Sequence, residues 1–420
     1  LDTHESRPTA MTLKPIDLLL SNAKRVVSGN KGVYEGFSIA IDSGKIKAIG
    51  PASEIAGLFH PREEIDATGK LITPGFVDSH THVIFGGQRA GEFVQRCAGA
   101  DYEQIAAAGG GIRASVRMTR DTDLDTLVSD ALPRIQRMMA SGSTTIEIKS
   151  GYGLDLETEL KMLRAIAILA KDCPAEIVPT FMGAHETPDE WREDRSRYIQ
   201  MVCEEMIPAV ASEGLAEFCD VFCERGVFNP EESQAVLEAG IAHGLKPKIH
   251  ADEMAASGGS LVAAQVGAIS ADHLMMTPPE GIAALKEAGV VATLLPGTTF
   301  FLSKPTYAPA RKMIDAGLDV ALATGRNPGS CTIESMLFIM GLAVQRMNMT
   351  PLEALEAATL GGAKALGRSE ICGSIDVEKR ADLILWDAPD EDFLIYEFTN
   401  DLSRTVWAGG NRISGPPVHS

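Results

Sequence analysis

No stretch of this 420-residue chain offers the roughly 18 consecutive apolar residues that a membrane-crossing helix requires. Basic runs are missing as well. The chain has 38 lysines and arginines against 57 aspartates and glutamates, a formal net charge of -19. Such a surface repels phosphate backbones and anionic lipid, so neither nucleic acid nor membrane is an expected partner. An anionic small molecule is admissible where a local cation receives it. Cysteines number 7, at Cys97, Cys173, Cys203, Cys219, Cys223, Cys331 and Cys372, with no CxxC pair. That pattern argues against a disulfide framework or a cysteine-built zinc site and fits reduced, buried thiols in a cytoplasmic protein. The first ten residues, LDTHESRPTA, precede Met11 and lack a signal-peptide core. Part of that stretch is expected to be foreign to the native chain.

What is present is ordinary globular composition, 45% hydrophobic and 23% charged. Residues 16–72 alternate short apolar runs with Gly and Asp-Ser-Gly punctuation, which is hairpin patterning. The tail from 371 has the same character. Between them, short apolar runs alternate with amphipathic stretches such as DTLVSDALPRIQRMMASG and ETELKMLRAIAILAKD, the pattern of parallel βα units. Eight strand candidates fall there: 75–82, 144–151, 176–185, 219–226, 246–253, 268–274, 290–297 and 319–329. Eight is the closing number of a TIM-type (β/α)8 barrel. The expected organisation is a barrel over 74–370, with 1–73 and 371–420 joining into one small β-sandwich. AAAGGGI (106–112) lacks the Lys-Ser/Thr of a phosphate cradle and reads as a loop at the barrel mouth.

The chemistry signal lies in the histidines. His80 and His82 follow the apolar run GFVD, and residues i and i+2 of an extended chain face the same side. Both imidazoles can therefore grip one cation. His250 ends KPKIH, and His273 ends AISADH. Of 9 histidines, His80, His82, His185, His250 and His273 fall at candidate strand C-termini, the face where barrel enzymes build active sites. Singly, each could be a satisfied structural residue. Together they point to a metal centre.

PGFVDSHTH, IHADE, SADHL, NPGS and the closing GSIDVEKRADLILWD resemble the amidohydrolase superfamily. HTHVIFGGQRAGEF, AAAGGGIRASV, IEIKSGYGLD, FMGAHE and LLPGTTFFL resemble, within it, the imidazolonepropionase family, and this likeness runs over nearly the whole chain. The resemblance implies one divalent metal ion, zinc or iron, held by His80, His82 and His250. It implies an acid/base role for Glu253 and places His273 by the attacking water. It puts Arg89, Tyr152, His185, Asn327, Gly329 and Ser330 around a small anionic substrate, with Glu253 near the ring nitrogen and Arg89 on the carboxylate. The implied reaction is hydrolysis of an imidazolone ring, and a homodimer is the implied assembly.

One departure stands out. Where the superfamily's last strand ends in a ligating aspartate, this chain has Gly325. Glycine offers neither a ligand atom nor a base, so the expectation is an impaired variant, natural or engineered, of an active lineage. The alternatives are another amidohydrolase, such as a cytosine- or guanine-type deaminase, and a non-catalytic scaffold of the same fold. Lys149 belongs to the second strand candidate, not the fourth, where two-metal relatives carry a bridging lysine; a loop or supporting role is expected for it.

Overall fold

The computed structural model describes residues 13–29, 32–100, 104 and 109–415. The first ten residues and positions 106–108 of AAAGGGI lie outside the described residues. The chain opens with β1 (Lys14–Val27), β2 (Val33–Asp42), β3 (Lys45–Pro51), β4 (Phe59–Asp66) and β5 (Leu71–Pro74). The barrel follows: β6 (Phe76–Asp78), β7 (Ser143–Lys149), β8 (Glu176–Ala184), β9 (Phe218–Cys223), β10 (Lys246–Ala251), β11 (Ser270–His273), β12 (Val291–Leu294) and β13 (Val320–Leu322). The tail adds β14 (Leu383–Trp386), β15 (Arg404–Ala408) and β16 (Asn411–Ser414).

Each of the eight strand candidates overlaps one barrel strand, with β7 and β9 starting one residue earlier than expected, and all neighbouring pairs from β6 to β13 are parallel. The seam between β13 and β6 closes just beyond the strand ends. There Gly325 N donates to His80 O (3.0 Å) and His82 N to Arg326 O (2.8 Å). Helices cover the outside because their apolar stripes match it. The helix Leu124–Ala140 starts at Asp123, whose side chain accepts from Thr126 N, and buries Leu127, Ala131, Ile135 and Met138. The helix Pro230–Ala242 opens on an Asn229/Glu232 capping box. Among the described residues no helix is long and apolar enough to cross a membrane.

The two chain ends form a second eight-stranded sheet, in which β14 pairs antiparallel with β5 and β5 pairs with β1. Leu18 and Leu20 of β1, Ile39 and Ile41 of β2, Ile72 of β5, Leu385 of β14 and Trp407 of β15 share one buried cluster, so the sheet curls over its own core. All 7 cysteines are free thiols, but only Cys219, Cys223, Cys331 and Cys372 are buried.

Trp386 joins the two bodies. It is fully buried, its indole N–H donates to Thr73 Oγ1 (3.0 Å), and its ring lies 6.0 Å from that of Phe76 at the start of the barrel. Trp386→Ala removes both contacts, and we expect a loss of about 3–5 kcal/mol in urea denaturation. A loss below about 1 kcal/mol would show that the sheet does not brace the barrel.

Candidate metal centre

The barrel interior is charged rather than apolar. Glu147 and Lys149 of β7, Asp220 of β9, Lys248 of β10, Asp272 of β11 and Asp78 of β6 are all fully buried. Two-residue periodicity turns Ile146 and Ile148 out to the helices and Glu147 and Lys149 inward. Lys149 Nζ meets Asp220 Oδ2 at 2.7 Å and Glu147 Oε1 at 2.8 Å, with Asp272 at 3.8 Å. Lys248 reaches Glu147 at 3.3 Å and donates to Ser79 O at 3.0 Å. Burial opposes the charge on Lys149, but Asp220, Glu147 and Asp272 outweigh it and raise its pKa. Asp220 also loses to burial, yet His250 and Lys149 hold it well below the ordinary carboxylate range. Asp78 goes the other way: burial lifts it to about 7 despite the bonds it accepts from Thr324 N (3.0 Å) and Thr324 Oγ1 (2.6 Å).

Above this layer the structure brings His80, His82 and His250 together, with one ring nitrogen of each within 4.8 Å of the others. His80 and His82 lie past the end of β6, yet the seam bonds keep that segment extended and both rings face inward. His80 Nδ1 is 2.6 Å from Asp272 Oδ2, and His250 Nδ1 is 3.0 Å from Asp220 Oδ1. Each carboxylate accepts a hydrogen bond from Nδ1–H and leaves the Nε2 lone pair aimed at the shared space, the arrangement that orients histidine ligands in metal sites. His250 Nε2 faces His82 Nε2 at 3.3 Å. Burial holds His80 and His82 well below their ordinary pKa and brings His250 to about 3, so all three rings are neutral and able to ligate.

This donor set fits a divalent metal ion. Three neutral imidazoles converge, and two of them are braced by carboxylates. His80, Glu147 and Asp272 also bring donor atoms within 4.8 Å of one another, but Glu147 and Asp272 are engaged by Lys149 and Lys248. That second group is better explained as scaffold.

The other sequence-derived residues surround the trio. His273 has φ +77°, a left-handed backbone that lets its ring leave the strand alternation and sit 5.1 Å from His250 and 5.3 Å from His80. Its Nδ1 is 3.6 Å from Glu253 Oε1, too long for a hydrogen bond. His185 stacks on His82 at 5.0 Å, its Nδ1 on Gly151 O at 2.9 Å, and burial lowers it to about 4. Tyr152 is 5.8 Å from the His82 ring and 6.5 Å from that of Phe85. Arg89 is paired with Glu92 at 2.7 Å and lies so close over Gly329 that a Cβ there would meet its Nη1 at 2.0 Å. Asn327 spends its amide on the loop: Nδ2 donates to Gly325 O and Ser330 Oγ, and Oδ1 accepts from Gly329 N and Ser330 N. Gly325 has φ +62°.

Sequence reasoning missed the carboxylates behind the histidines. Asp220 and Asp272 lay inside the strand candidates CDVFC and AISADH and were not singled out. Lys149, expected in a loop or supporting role, is the last residue of β7 and carries the interior ion pairs. A signal was available: charged residues at alternate positions of strands otherwise made of Ile, Val and Phe.

The amidohydrolase family matches residues 71–413 of this chain. An imidazolonepropionase of Shouchella clausii (strain KSM-K16) is 49% identical over 383 residues, 90% of this chain and 86% of that protein. One from Geobacillus sp. (strain WCH70) is 48% identical over 382 residues, 90% of each. A zinc-bound adenosine deaminase from Xanthomonas campestris shares the fold at TM-score 0.69 and 18% identity, over 96% of this chain and 93% of that one. The ochratoxinase of A. niger does so at TM-score 0.71 and 18% identity, over 96% of both chains.

If Asp220 and Asp272 brace the donors, Asp220→Asn should weaken metal binding about 10- to 100-fold in chelator competition, with the fold retained. Unchanged affinity would remove Asp220 from that role.

Proposed function

Since the chain belongs to the amidohydrolase family and stands among its imidazolonepropionases, we propose that its barrel mouth hydrolyses the imidazolone ring of 4-imidazolone-5-propanoate to N-formimidoyl-L-glutamate, a step of histidine degradation. The observation that carries this is the convergence of His80, His82 and His250 on one space, backed by Asp272 and Asp220. These three imidazoles would hold zinc or iron, both of which accept nitrogen donors. Such an ion supplies Lewis acidity that lowers the pKa of water from 15.7 toward about 7.

The chain's own residues supply the rest. His273 faces the same space as the trio, with an Nδ1 free of hydrogen bonds, and is suited to take the proton from the attacking water. Glu253, 3.6 Å from His273, would pass that proton on to the ring nitrogen as the carbon–nitrogen bond breaks. The water oxygen ends on the former carbonyl carbon as part of a carboxylate. Tyr152 and His185 wall the ring on the His82 side. Arg89 receives the propanoate tail, exchanging Glu92 for the substrate. Asn327 keeps Gly329 and Ser330 in place beneath that tail.

Gly325 limits the rate. Its backbone N–H is used on His80 O, and it has no group to ligate or accept a proton. An aspartate there tolerates the left-handed φ better than most residues, though its Cβ would meet Leu295 Cδ2 at 2.7 Å and Leu295 must shift. Gly325→Asp should therefore raise kcat, by about 10²–10⁴-fold if the carboxylate acts as base. No gain would sink the view that this chain is impaired.

The test of the reaction is product analysis on metal-loaded protein. We expect N-formimidoyl-L-glutamate without ammonia; ammonia released from an intact ring would mean a deaminase. Arg89→Ala should raise KM about 10- to 100-fold, the weight of a charge-assisted pair. An unchanged KM would take Arg89 off the tail.

A further inference from the structure

Next to Gly329 lies a cleft of about 400 Å³ lined by Arg89, Arg134, Arg326, Phe85, Phe93 and Phe301. The Arg134 guanidinium lies 3.7 Å from the Phe85 ring centroid and that of Arg326 lies 5.4 Å from it, so one ring carries two cations. The carboxylates that pair with this cluster are few. Glu92 takes Arg89. Arg137 occupies both oxygens of Glu334 at 2.6 and 3.0 Å, and Arg326 Nε shares Oε1 at 3.1 Å. Arg134 has no ion pair among the described residues; its Nη1 donates to Val83 O at 2.8 Å, and exposed Asp130 acts on it only at longer range. Four guanidiniums thus border the cleft, Arg89, Arg134 and Arg326 lining it and Arg96 lying 5.7 and 5.4 Å from the Phe93 and Phe301 rings, against Glu92 and a Glu334 shared with Arg137, in a chain whose net charge is -19. Burial first, and Arg326 second, bring Arg134 down to about 10.

We propose that this cleft is a dianion site, taking inorganic phosphate or a dicarboxylate on the guanidiniums of Arg326 and Arg134. The local excess of guanidinium over carboxylate favours a doubly charged anion over a singly charged one. Planar guanidinium forks suit carboxylate and phosphate oxygens alike, and the phenylalanines give the cleft an apolar floor. The site borders Arg89, so an occupant competes with the substrate tail proposed above. The binding itself does not depend on the reaction assigned to the metal centre.

The test is calorimetric titration of metal-loaded protein with phosphate, succinate and acetate at fixed ionic strength, which reads the cleft without turnover. We expect phosphate or succinate to bind about tenfold or more tightly than acetate, and Arg326→Met to cancel that preference with metal content unchanged. Glu334→Gln, which removes a competing carboxylate, should tighten binding and serves as the second variant if Arg326→Met does not fold. Equal affinity for acetate would overturn the proposal. So would phosphate binding that both variants leave untouched, because the anion would then sit on the metal. Dianion binding together with no ring opening even by the Gly325→Asp variant would refute the assigned reaction and leave this site standing.

Discussion

The metal centre depends on a charge held where charge is expensive. Lys149 sits inside a closed barrel with no water contact, and its ammonium survives there because Asp220, Glu147 and Asp272 surround it. The dependence is mutual. Asp220 stays ionised because Lys149 is charged, and an ionised Asp220 draws the Nδ1 proton of His250, which frees Nε2 for the shared space. Lys248 plays the parallel part beside Glu147 and also pins the chain at Ser79, one residue before His80. Removing one partner from such a buried set costs about 3–5 kcal/mol, far more than an exposed ion pair contributes. The interior is therefore a poor device for stability and a good one for orientation: it aims two rings and keeps them neutral.

A second constraint acts at the strand ends. His273 at φ +77° and Asp252 at φ +50° hold backbone conformations that side chains avoid, each costing roughly 1–3 kcal/mol. Local bonds over-determine both. Leu274 N reaches Ala251 O, Met276 N reaches Asp252 O, and the Asp252 carboxylate takes Ser257 N and the Thr277 hydroxyl. The consequence is geometric. By strand alternation Asp272 and His273 would face opposite sides, but the twist at His273 turns both toward His80, one as a brace and one as a neighbouring ring.

That is also where legibility in the chain ends. The His80/His82 pair and the eight-fold alternation of strands and helices were readable because periodicity alone encodes them. His250 was readable because it closes an apolar run. Asp220 and Asp272 were not singled out, since an acidic residue in a short strand looks the same whether it faces a helix, solvent or an imidazole. Lys149 was placed correctly in the strand count, but its partners come from β9 and β11, and no local pattern reports pairing across a barrel. Arg134 and Arg326 lie far apart in sequence and meet only because the helix after the first strand packs beside the loop after the last. Gly325 is the reverse case, a local departure visible at once, whose consequence depends on what surrounds it.

The surroundings of Gly325 explain how a chain can carry it and keep its architecture. The loop from Gly325 to Ser330 is shaped by Asn327, which bonds to Gly325 O, Gly329 N, Ser330 N and Ser330 Oγ, and by the seam bond from Gly325 N to His80 O. None of these uses a side chain at position 325. Thr324 beside it is held by Asp78 through both its amide and its hydroxyl. The loop is thus fixed by neighbours on either side, and it needs no side chain at position 325 to hold its shape. The histidine donors persist as well, because His80, His82 and His250 and their braces Asp272 and Asp220 make no use of a side chain at this position. The fold and the histidine donors therefore do not rest on position 325, and what a glycine there withholds is a further ligand atom and a proton acceptor.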